Sequence, residues 1–350
     1  MPTQIPASSC CTSVRIITRV RSGKDGGVVG WTGDVACLGE AMMRLSVQPG
    51  DRLAGAQGFD ANVAGAELNV AANLAAIGRS TGWVGALPDN LLGDWVVRRV
   101  RAMRVDDRGI VRVPRSRLGT FFVEMGVAPR ATQVVYDRGD SAASHFAPAA
   151  VPWSYLGGAQ IVHLSGITAA IGGASRATME RALAWARERR RPLSFDVNYR
   201  SLLWDPHQAA DWMVAHVRGV EVLTCAERDA RSLFGMAGDA PTLARALQAK
   251  FEANWVVVTR GARGAVAVTP TGTFEQRAIE TEVIDRIGAG DAFVAGMLDG
   301  WLERDVEAGL ARGVALASLA LGERGDQVTT NRAEMERVMN SATSVGGIVR

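Results

Sequence analysis

The chain has 350 residues, of which 47% are apolar and 21% are charged, and its formal net charge is +3 at pH 7. This composition is ordinary for a globular protein and argues against disorder along the whole chain. The 39 basic and 36 acidic residues are spread without a long basic block, which argues against nucleic acid or a membrane surface as a partner. The length suffices for one large α/β domain or for two ordinary ones, and we favour one domain with an appendage.

The cysteines and the hydropathy pattern give two further expectations. The four cysteines, at positions 10, 11, 37 and 225, form no CxxC pair and do not have the spacing of a zinc site. This pattern favours a reducing, cytoplasmic location. The chain contains no run of about 18 apolar residues, so its sequence does not predict a transmembrane helix.

The first 33 residues differ in composition from the rest of the chain. Four basic residues precede the first acidic one, Asp25, and the stretch 23–33 is rich in glycine. An Arg-rich, acid-poor start is typical of a transit peptide, but an unstructured leader can have the same composition. We favour a leader over residues 1–33 and predict that the folded domain spans residues 34–343.

From Asp34 onwards, short apolar runs alternate with longer stretches whose apolar residues recur near every 3.6 positions. The runs predict buried strands, and the longer stretches predict helices. The predicted strands are 34–39, 81–87, 160–165, 192–197, 220–224 and 255–259. The predicted helices are 66–77, 91–103, 174–190, 242–251, 289–302 and 306–321. Their alternation predicts a doubly wound, mostly parallel sheet that binds ligands at the carboxyl ends of its strands.

Two segments, 42–63 and 118–138, interrupt this alternation with short β-like runs separated by turn residues. They predict a small second sheet inserted into the main domain at two places. Such a sheet could act as a lid, or it could join two copies of the chain in a homodimer through edge pairing.

A glycine-rich turn, DRIGAGD at Asp285–Asp291, precedes a long apolar helix. Gly288 and Gly290 permit backbone geometry that lets a ligand approach closely. The N–H groups and positive dipole end of the helix favour an anion in this turn. Asp291, in the first helical turn, either caps the helix or faces the ligand.

The turn resembles the D-x-x-G-A-G-D-x-F signature of ribokinase-like (PfkB) carbohydrate kinases. The resemblance implies that the backbone of Gly288, Ala289 and Gly290 binds the γ-phosphate of ATP and that Asp291 accepts a proton from the attacking hydroxyl, with Mg²⁺ on the phosphates. Arg286 and Ile287 replace the small or hydroxylated residues common there, so the resemblance does not establish a monovalent-cation site nearby. The chain has neither a Walker A motif nor a GxGxxG motif after a strand.

Three more segments resemble parts of this family. AGAELN at residues 64–69 resembles the first family signature, which implies substrate contacts at Gly65 and Asn69; close packing of the helix on the lid is the alternative. VTRGARGA at 258–265 resembles the nucleotide-side turn, implying roles for Thr259, Gly261 and Gly264, although a plain hairpin has the same pattern. CAERDARSLF at 225–234 resembles a segment near the magnesium site, so Glu227 and Asp229 become candidates for water-mediated metal contact.

Residues that differ among family members bear on the substrate. Polyol kinases have an aspartate where this chain has Arg44, so we interpret Arg44 as either a cation that favours an anionic substrate or a side chain that points to solvent. The segments 136–148, 163–168 and 196–204 resemble those of 2-keto-3-deoxygluconate kinases. By this resemblance Tyr136, Arg138 and Arg200 contact the acid and hydroxyl groups of the substrate, and Phe121 replaces a lid tyrosine; surface ion pairs are the alternative for each arginine.

The resemblance as a whole implies phosphorylation of 2-keto-3-deoxygluconate at its 6-hydroxyl. Two alternatives stay open within the kinase class, a fructose-like neutral sugar and 2-keto-3-deoxygalactonate. A non-catalytic sensor that binds a sugar acid is the alternative from another class.

Overall fold

The computed structural model describes residues 30–126 and 129–340. Most of the predicted leader, and the end of the predicted domain at 341–343, lie outside these residues. The strands are β1 Gly33–Leu38, β2 Met42–Ser46, β3 Asp60–Ala64, β4 Thr81–Pro88, β5 Ile110–Val113, β6 Gly119–Glu124, β7 Gln133–Asp137, β8 Ala159–Ser165, β9 Leu193–Asp196, β10 Val222–Ala226, β11 Trp255–Thr259, β12 Ala265–Thr269 and β13 Gly272–Gln276. The helices are α1 Ala66–Ala76, α2 Leu91–Ala102, α3 Trp153–Leu156, α4 Gly166–Ala170, α5 Gly173–Arg189, α6 Pro206–His216, α7 Glu227–Phe234, α8 Ala240–Phe251, α9 Ala289–Glu303, α10 Val306–Leu321 and α11 Arg332–Asn340.

The larger sheet has nine strands in the order β13-β12-β11-β10-β9-β8-β1-β4-β5. All neighbouring pairs from β11 to β5 are parallel, whereas β12 and β13 pair antiparallel at one edge. Successive side chains of β1 enter different core clusters, Val35 and Cys37 on one face and Ala36 and Leu38 on the other. Since both faces are covered by helices, the predicted doubly wound, mostly parallel sheet is confirmed.

Helices α9 and α10 pack with their backbones in close contact. A Cβ atom added to Gly300 would lie 2.2 Å from the Cα of Gly309, and one added to Gly296 would lie 2.2 Å from the backbone nitrogen of Gly313. Glycine at these positions therefore permits a separation that side chains would prevent. This packing fixes α9, whose N-terminal end follows the glycine-rich turn.

The second sheet has the order β3-β2-β6-β7, in which β2 and β6 are parallel and the outer pairs antiparallel. The segments 42–63 and 118–138 each contain two of its strands, β2 and β3 in the first and β6 and β7 in the second, with β3 ending at Ala64. Met42, Phe121 and Val123 form a small apolar cluster on its buried face. We refer to this sheet as the lid.

The folded part of the chain begins earlier than predicted. Trp31 is 4% exposed, and its ring stacks on that of Tyr155 with centroids 4.7 Å apart. Gly33 is the first residue of β1. The predicted leader over 1–33 therefore extends too far, because Trp31 belongs to the core. None of the helices in residues 30–126 and 129–340 is long and apolar enough to cross a membrane.

Candidate active site

The glycine-rich turn leads directly into α9. Gly288 has a φ of 88° and is the N-cap residue of the helix, and a Cβ atom there would lie 2.3 Å from the carbonyl oxygen of Asp326. At Gly290 an added Cβ atom would meet no atom of the described chain within 4 Å. Packing thus explains the first glycine but not the second, which borders open space beside the free N–H groups of the first helical turn.

Asp291 lies at this helix start and is held by an amide. Asn69 of α1 donates a hydrogen bond from Nδ2 to Oδ2 of Asp291 over 2.7 Å, and Gln327 Nε2 donates to Oδ1 of Asn69 over 2.6 Å. Burial raises the pKa of Asp291 to about 6, although the Asn69 hydrogen bond and the positive charge of Arg200 oppose the rise. A carboxyl group with this pKa can act as a general base near neutral pH.

A cavity of about 360 Å³ opens in front of Asp291, between the carboxyl ends of the strands and the lid. This volume suits a small ligand. The predicted site residues that line it are Gly65, Asn69, Phe121, Tyr136, Arg200, Asp229, Thr259, Gly288, Gly290 and Asp291. The full lining also includes Asp196 of β9 and Thr224 of β10, so residues that are far apart in the sequence meet at one place.

Arg200 is one of three exposed arginines that line this cavity, together with Arg228 and Arg286. Its guanidinium donates to the backbone carbonyl of Tyr199 over 3.2 Å, and it takes part in none of the ion pairs found among the described residues. Its charge opposes the rise that burial causes in the pKa of both Asp291 and Asp196. Arg200 is therefore free to bind an anionic group of a ligand.

Arg138 lies outside the cavity lining, next to Tyr136. It is 8% exposed and forms a buried ion pair with Glu40 through Nη2, and its guanidinium carbon lies 5.7 Å from the centre of the Tyr136 ring. Ser141 also donates to Glu40, over 2.9 Å. The buried Nε and Nη1 groups of Arg138 have no hydrogen-bond partner in the described residues.

Arg44 does not match either sequence interpretation. Its side chain is 2% exposed and bonds to both Asp285 and Asp326, so it neither points to solvent nor presents a free positive charge to a ligand. The argument for an anionic substrate from Arg44 was wrong, because two carboxylates that are distant in the sequence already bind this guanidinium.

The predicted nucleotide-side turn lies between β11 and β12. Thr259 lines the cavity, whereas Gly261 and Gly264 do not. Gly264 has a φ of 86°, and a Cβ atom there would lie 2.0 Å from the carbonyl oxygen of Gln276. The hairpin alone therefore accounts for Gly264, and a contact of this turn with the nucleotide stays a prediction.

The two acidic candidates for metal contact lie in different surroundings. Asp229 is 3% exposed and lines the cavity, with one oxygen 3.0 Å from Nε of Arg228. Glu227 lies outside the lining, where the hydrogen bond from Arg231, and then the charge of Arg263, lower its pKa. No group of three metal-binding side chains occurs within the described ranges. Since Mg²⁺ needs only one or two carboxylates beside phosphates and water, Asp229 fits such an ion better than Glu227.

A family profile described as "pfkB family carbohydrate kinase" matches residues 32–333. The chain belongs to the PfkB family of carbohydrate kinases. This PfkB kinase is therefore an enzyme that transfers a phosphoryl group to an alcohol of a carbohydrate, and its ribokinase-like fold agrees with that of its solved relatives.

Three relatives of this PfkB kinase cover nearly the whole domain. A 2-dehydro-3-deoxygalactonokinase from Haloferax volcanii is 38% identical over 88% of this chain and 97% of the relative. The crystal structure of a 2-dehydro-3-deoxygluconokinase from Thermotoga maritima is 30% identical, with a TM-score of 0.82 over 89% of this chain and 99% of its own. An uncharacterised sugar kinase from Pyrococcus horikoshii, solved with ATP, shares the fold at 20% identity, with a TM-score of 0.72 over 87% and 99% of the two chains.

Sequence reasoning missed two buried acids of this PfkB kinase near Asp291. Asp196, at the end of β9, lines the cavity, and burial, followed by the charge of Asp291, raises its pKa to about 8. Glu67 accepts hydrogen bonds from Ser165 and Thr168 over 2.8 and 2.6 Å, and burial raises its pKa to about 7. Both acids lie within the motifs used above, but sequence spacing alone does not show that they approach Asp291.

Proposed function

We propose that this kinase transfers the γ-phosphate of ATP to the 6-hydroxyl of 2-keto-3-deoxygluconate. The observation that carries the proposal is that one cavity holds Asp291, the start of α9 and the unpaired guanidinium of Arg200. The first two features suit phosphoryl transfer to a hydroxyl. The third suits a substrate with a carboxylate.

The proposed transfer step needs a base and a site for negative charge. Asp291 accepts the proton of the 6-hydroxyl, whose oxygen then bonds to the γ-phosphorus while the bond between that phosphorus and the β–γ bridging oxygen breaks. The N–H groups of Gly288, Ala289 and Gly290 stabilise the charge on the transferred group. ADP and the 6-phosphate are the products.

The acid group of the substrate is recognised by Arg200, with Tyr136 and Arg138 on the lid side. The unpartnered Nε and Nη1 of Arg138 support this role, since buried donors without acceptors cost free energy that a bound ligand can recover. Phe121 packs 5.6 Å from Tyr136, measured between ring centres, and supplies an apolar wall in place of a hydroxyl.

The nucleotide is placed on the side of Thr259, Gly261 and Gly264, with Mg²⁺ held by its phosphates, by water and by Asp229. When bound, Mg²⁺ neutralises charge that develops on the phosphates. The position of the Asp229 carboxyl group in the cavity lining supports this placement.

We also propose a homodimer that forms through the lid. Two apolar side chains are exposed on its segments, Phe59 at 41% and Val135 at 53%, and they support this proposal.

The galactonate-derived acid is a second candidate substrate. The Haloferax volcanii relative, 38% identical over 88% of this chain, is named for 2-dehydro-3-deoxygalactonate. The two acids differ in the orientation of one hydroxyl, whereas the proposed contacts of Arg200 are to the carboxylate that both share.

Initial rates on a panel of substrates test the proposal. With ATP and Mg²⁺, we expect 2-keto-3-deoxygluconate or 2-keto-3-deoxygalactonate to be phosphorylated with a higher kcat/KM than fructose or ribose. Arg200→Ala should raise KM for the acid roughly 10–100-fold, the value of charge-assisted hydrogen bonds, while the exposed control Arg181→Ala leaves it unchanged. Faster turnover of a neutral sugar, or an unchanged KM in Arg200→Ala, contradicts the proposal.

A further inference from the structure

A buried arginine joins the lid to the glycine-rich turn. Arg44 extends from the buried face of β2, and its Nη2 bonds to Oδ2 of Asp285, the first residue of the turn. Its Nη1 lies 3.3 Å from Oδ2 of Asp326, in the loop after α10, and its Nε donates to Ser46 over 2.8 Å. Each guanidinium nitrogen therefore has a protein partner, and the side chain does not line the cavity.

The two carboxylates bound by Arg44 also shape the turn. Asp285 accepts a hydrogen bond from the backbone N–H of Ile287 over 3.0 Å through its other oxygen. The backbone of Asp326 lies against Gly288, where a Cβ atom would come within 2.3 Å of the Asp326 carbonyl oxygen. A shift of either aspartate would therefore move the backbone at which α9 begins.

The charges of these side chains also link Arg44 to the glycine-rich turn. Asp285 and Asp326 are two buried carboxylates, 1% and 2% exposed, beside a site for a highly anionic ligand. Within the described residues they share one cation, Arg44. Without that cation the two buried acids would lose the partner that holds both loops together, and any negative charge that they kept would oppose an incoming phosphate.

We propose that Arg44 is a positioning residue for phosphoryl transfer, whose guanidinium bridges Asp285 and Asp326 and thereby fixes the shape and charge of the turn at Gly288–Gly290. It acts through this turn and touches neither substrate. The inference rests on the proposed function, because it assumes that the turn receives the γ-phosphate.

Three variants of the full-length protein test this role. Arg44→Ala should lower kcat/KM for ATP by roughly 100-fold, the cost of about 1 Å of misplacement at a reacting centre, while KM for the sugar acid stays close to that of the wild type. Arg44→Lys keeps a charge but not the planar fork, so it should also lose activity, to a smaller extent. The matched control is Arg79→Ala, which removes a different arginine from a buried carboxylate, Asp299, and should lower Tm without changing either KM.

Chemical rescue with guanidinium ion distinguishes a positioning role of Arg44 from a general effect on the stability of the fold. Guanidinium chloride at tens of millimolar should restore part of the activity of Arg44→Ala but not that of Asp291→Asn, and tetramethylammonium chloride at the same ionic strength should restore neither. If Arg44→Ala does not fold, Arg44→Lys carries the test. Wild-type kinetic constants in either Arg44 variant that folds overturn the inference. A wild-type enzyme without activity on any carbohydrate of the panel overturns the proposed function instead.

Discussion

Helix α9 carries buried charge at both ends, and the two ends differ in the balance of that charge. At its N-terminal end, the carboxyl groups of Asp285, Asp291 and Asp326 surround the turn, and Arg44 is the buried cation among them. Burial raises the pKa of Asp291 to about 6 and that of Asp326 to about 7. This end has more buried acid than its cations neutralise.

Further along the helix, Asp299 is completely buried and bonds to Arg79, Arg312 and Arg332 over 2.5, 2.6 and 2.7 Å. Burial would raise the pKa of Asp299, but the hydrogen bonds from Arg332 and Arg79 outweigh it, and the pKa is lowered. This cluster ties α9 to α10 and to the start of α11.

The difference shows that similar residues serve chemistry at one end of α9 and anchoring at the other. A carboxylate surrounded by arginines stays ionised and adds rigidity. A carboxyl group whose burial is not fully compensated can gain and lose a proton near neutral pH, as a general base requires.

The largest difference is expected between Asp291→Asn and Asp299→Asn. Asp291→Asn should lower kcat by about 10³-fold, within the range of general-base contributions, with Tm close to the wild-type value. Asp299→Asn should lower the free energy of unfolding by about 3–5 kcal/mol, because three arginines lose their shared partner, with kcat per folded molecule unchanged. Steady-state kinetics and denaturant unfolding measure both effects. The comparison fails if Asp291→Asn turns over normally.

Glycine substitutions at the two ends of α9 should also separate an effect on activity from an effect on stability, with smaller magnitudes. Gly290→Ala adds a methyl group to the open space at the turn and should lower kcat/KM for ATP by roughly 100-fold, while unfolding becomes less favourable by about 0.5–1 kcal/mol. Gly300→Ala places a Cβ atom 2.2 Å from Gly309, so it should destabilise the fold by about 1–3 kcal/mol and leave kcat/KM unchanged. Reversed effects would mean that the open space at Gly290 is not where the nucleotide binds.

The pH dependence of activity reports the protonation of Asp291. Because the base must be ionised, kcat/KM should rise with pH through an apparent pKa of about 6. Arg200 stabilises the charged carboxylate, so Arg200→Met should move this midpoint to higher pH. Asp299→Asn should leave it in place, since the lowered pKa of Asp299 keeps that group ionised throughout. A flat profile in the wild type, measured under kcat/KM conditions, would exclude Asp291 as the base.

The smallest effect concerns the stability of the ligand-free protein. Asp326 and Asp196 have pKa values raised to about 7 and about 8 in the folded state, so the folded state holds protons that the unfolded state has already released. Their contribution to stability is lost as pH rises through these values. Tm should therefore fall by a few degrees between about pH 6.5 and about pH 8.5, and Asp196→Asn should reduce the fall. A Tm that rises over this range contradicts the assigned direction.

The parts of the site that sequence predicts well are local. The turn and α9 could be predicted because Gly288, Gly290 and Asp291 stand next to a long apolar helix, so spacing and helix-dipole physics apply directly. A second sheet at 42–63 and 118–138 could be expected because the short β-like runs of these segments interrupt the βα alternation. Strands β5, β12 and β13 of the larger sheet were not predicted. For β13 the reason is that intermediate and exposed positions alternate along Gly272–Gln276, so it lacks the continuous apolar run of a buried strand.

The parts that sequence could not predict are long-range ion pairs. Arg44 bonds to residues 241 and 282 positions away, so its role depends on how the lid folds onto α9. Glu40 and Arg138 are 98 positions apart, and their pairing likewise follows only from the tertiary fold. Trp31 was assigned to the leader because it stands alone in the glycine-rich stretch 23–33, where no apolar run predicts a strand or a helix. In each case the missing information is the partner rather than the residue.

Identification of the product tests the central claim most directly. The purified protein is incubated with ATP, Mg²⁺ and 2-keto-3-deoxygluconate, and phosphorus NMR follows the γ-phosphate. The account predicts a new phosphomonoester signal coupled to the C6 methylene protons, formed in step with ADP and formed about 10³-fold more slowly by Asp291→Asn. Release of inorganic phosphate alone, or an ester at another position of the acid, would contradict it.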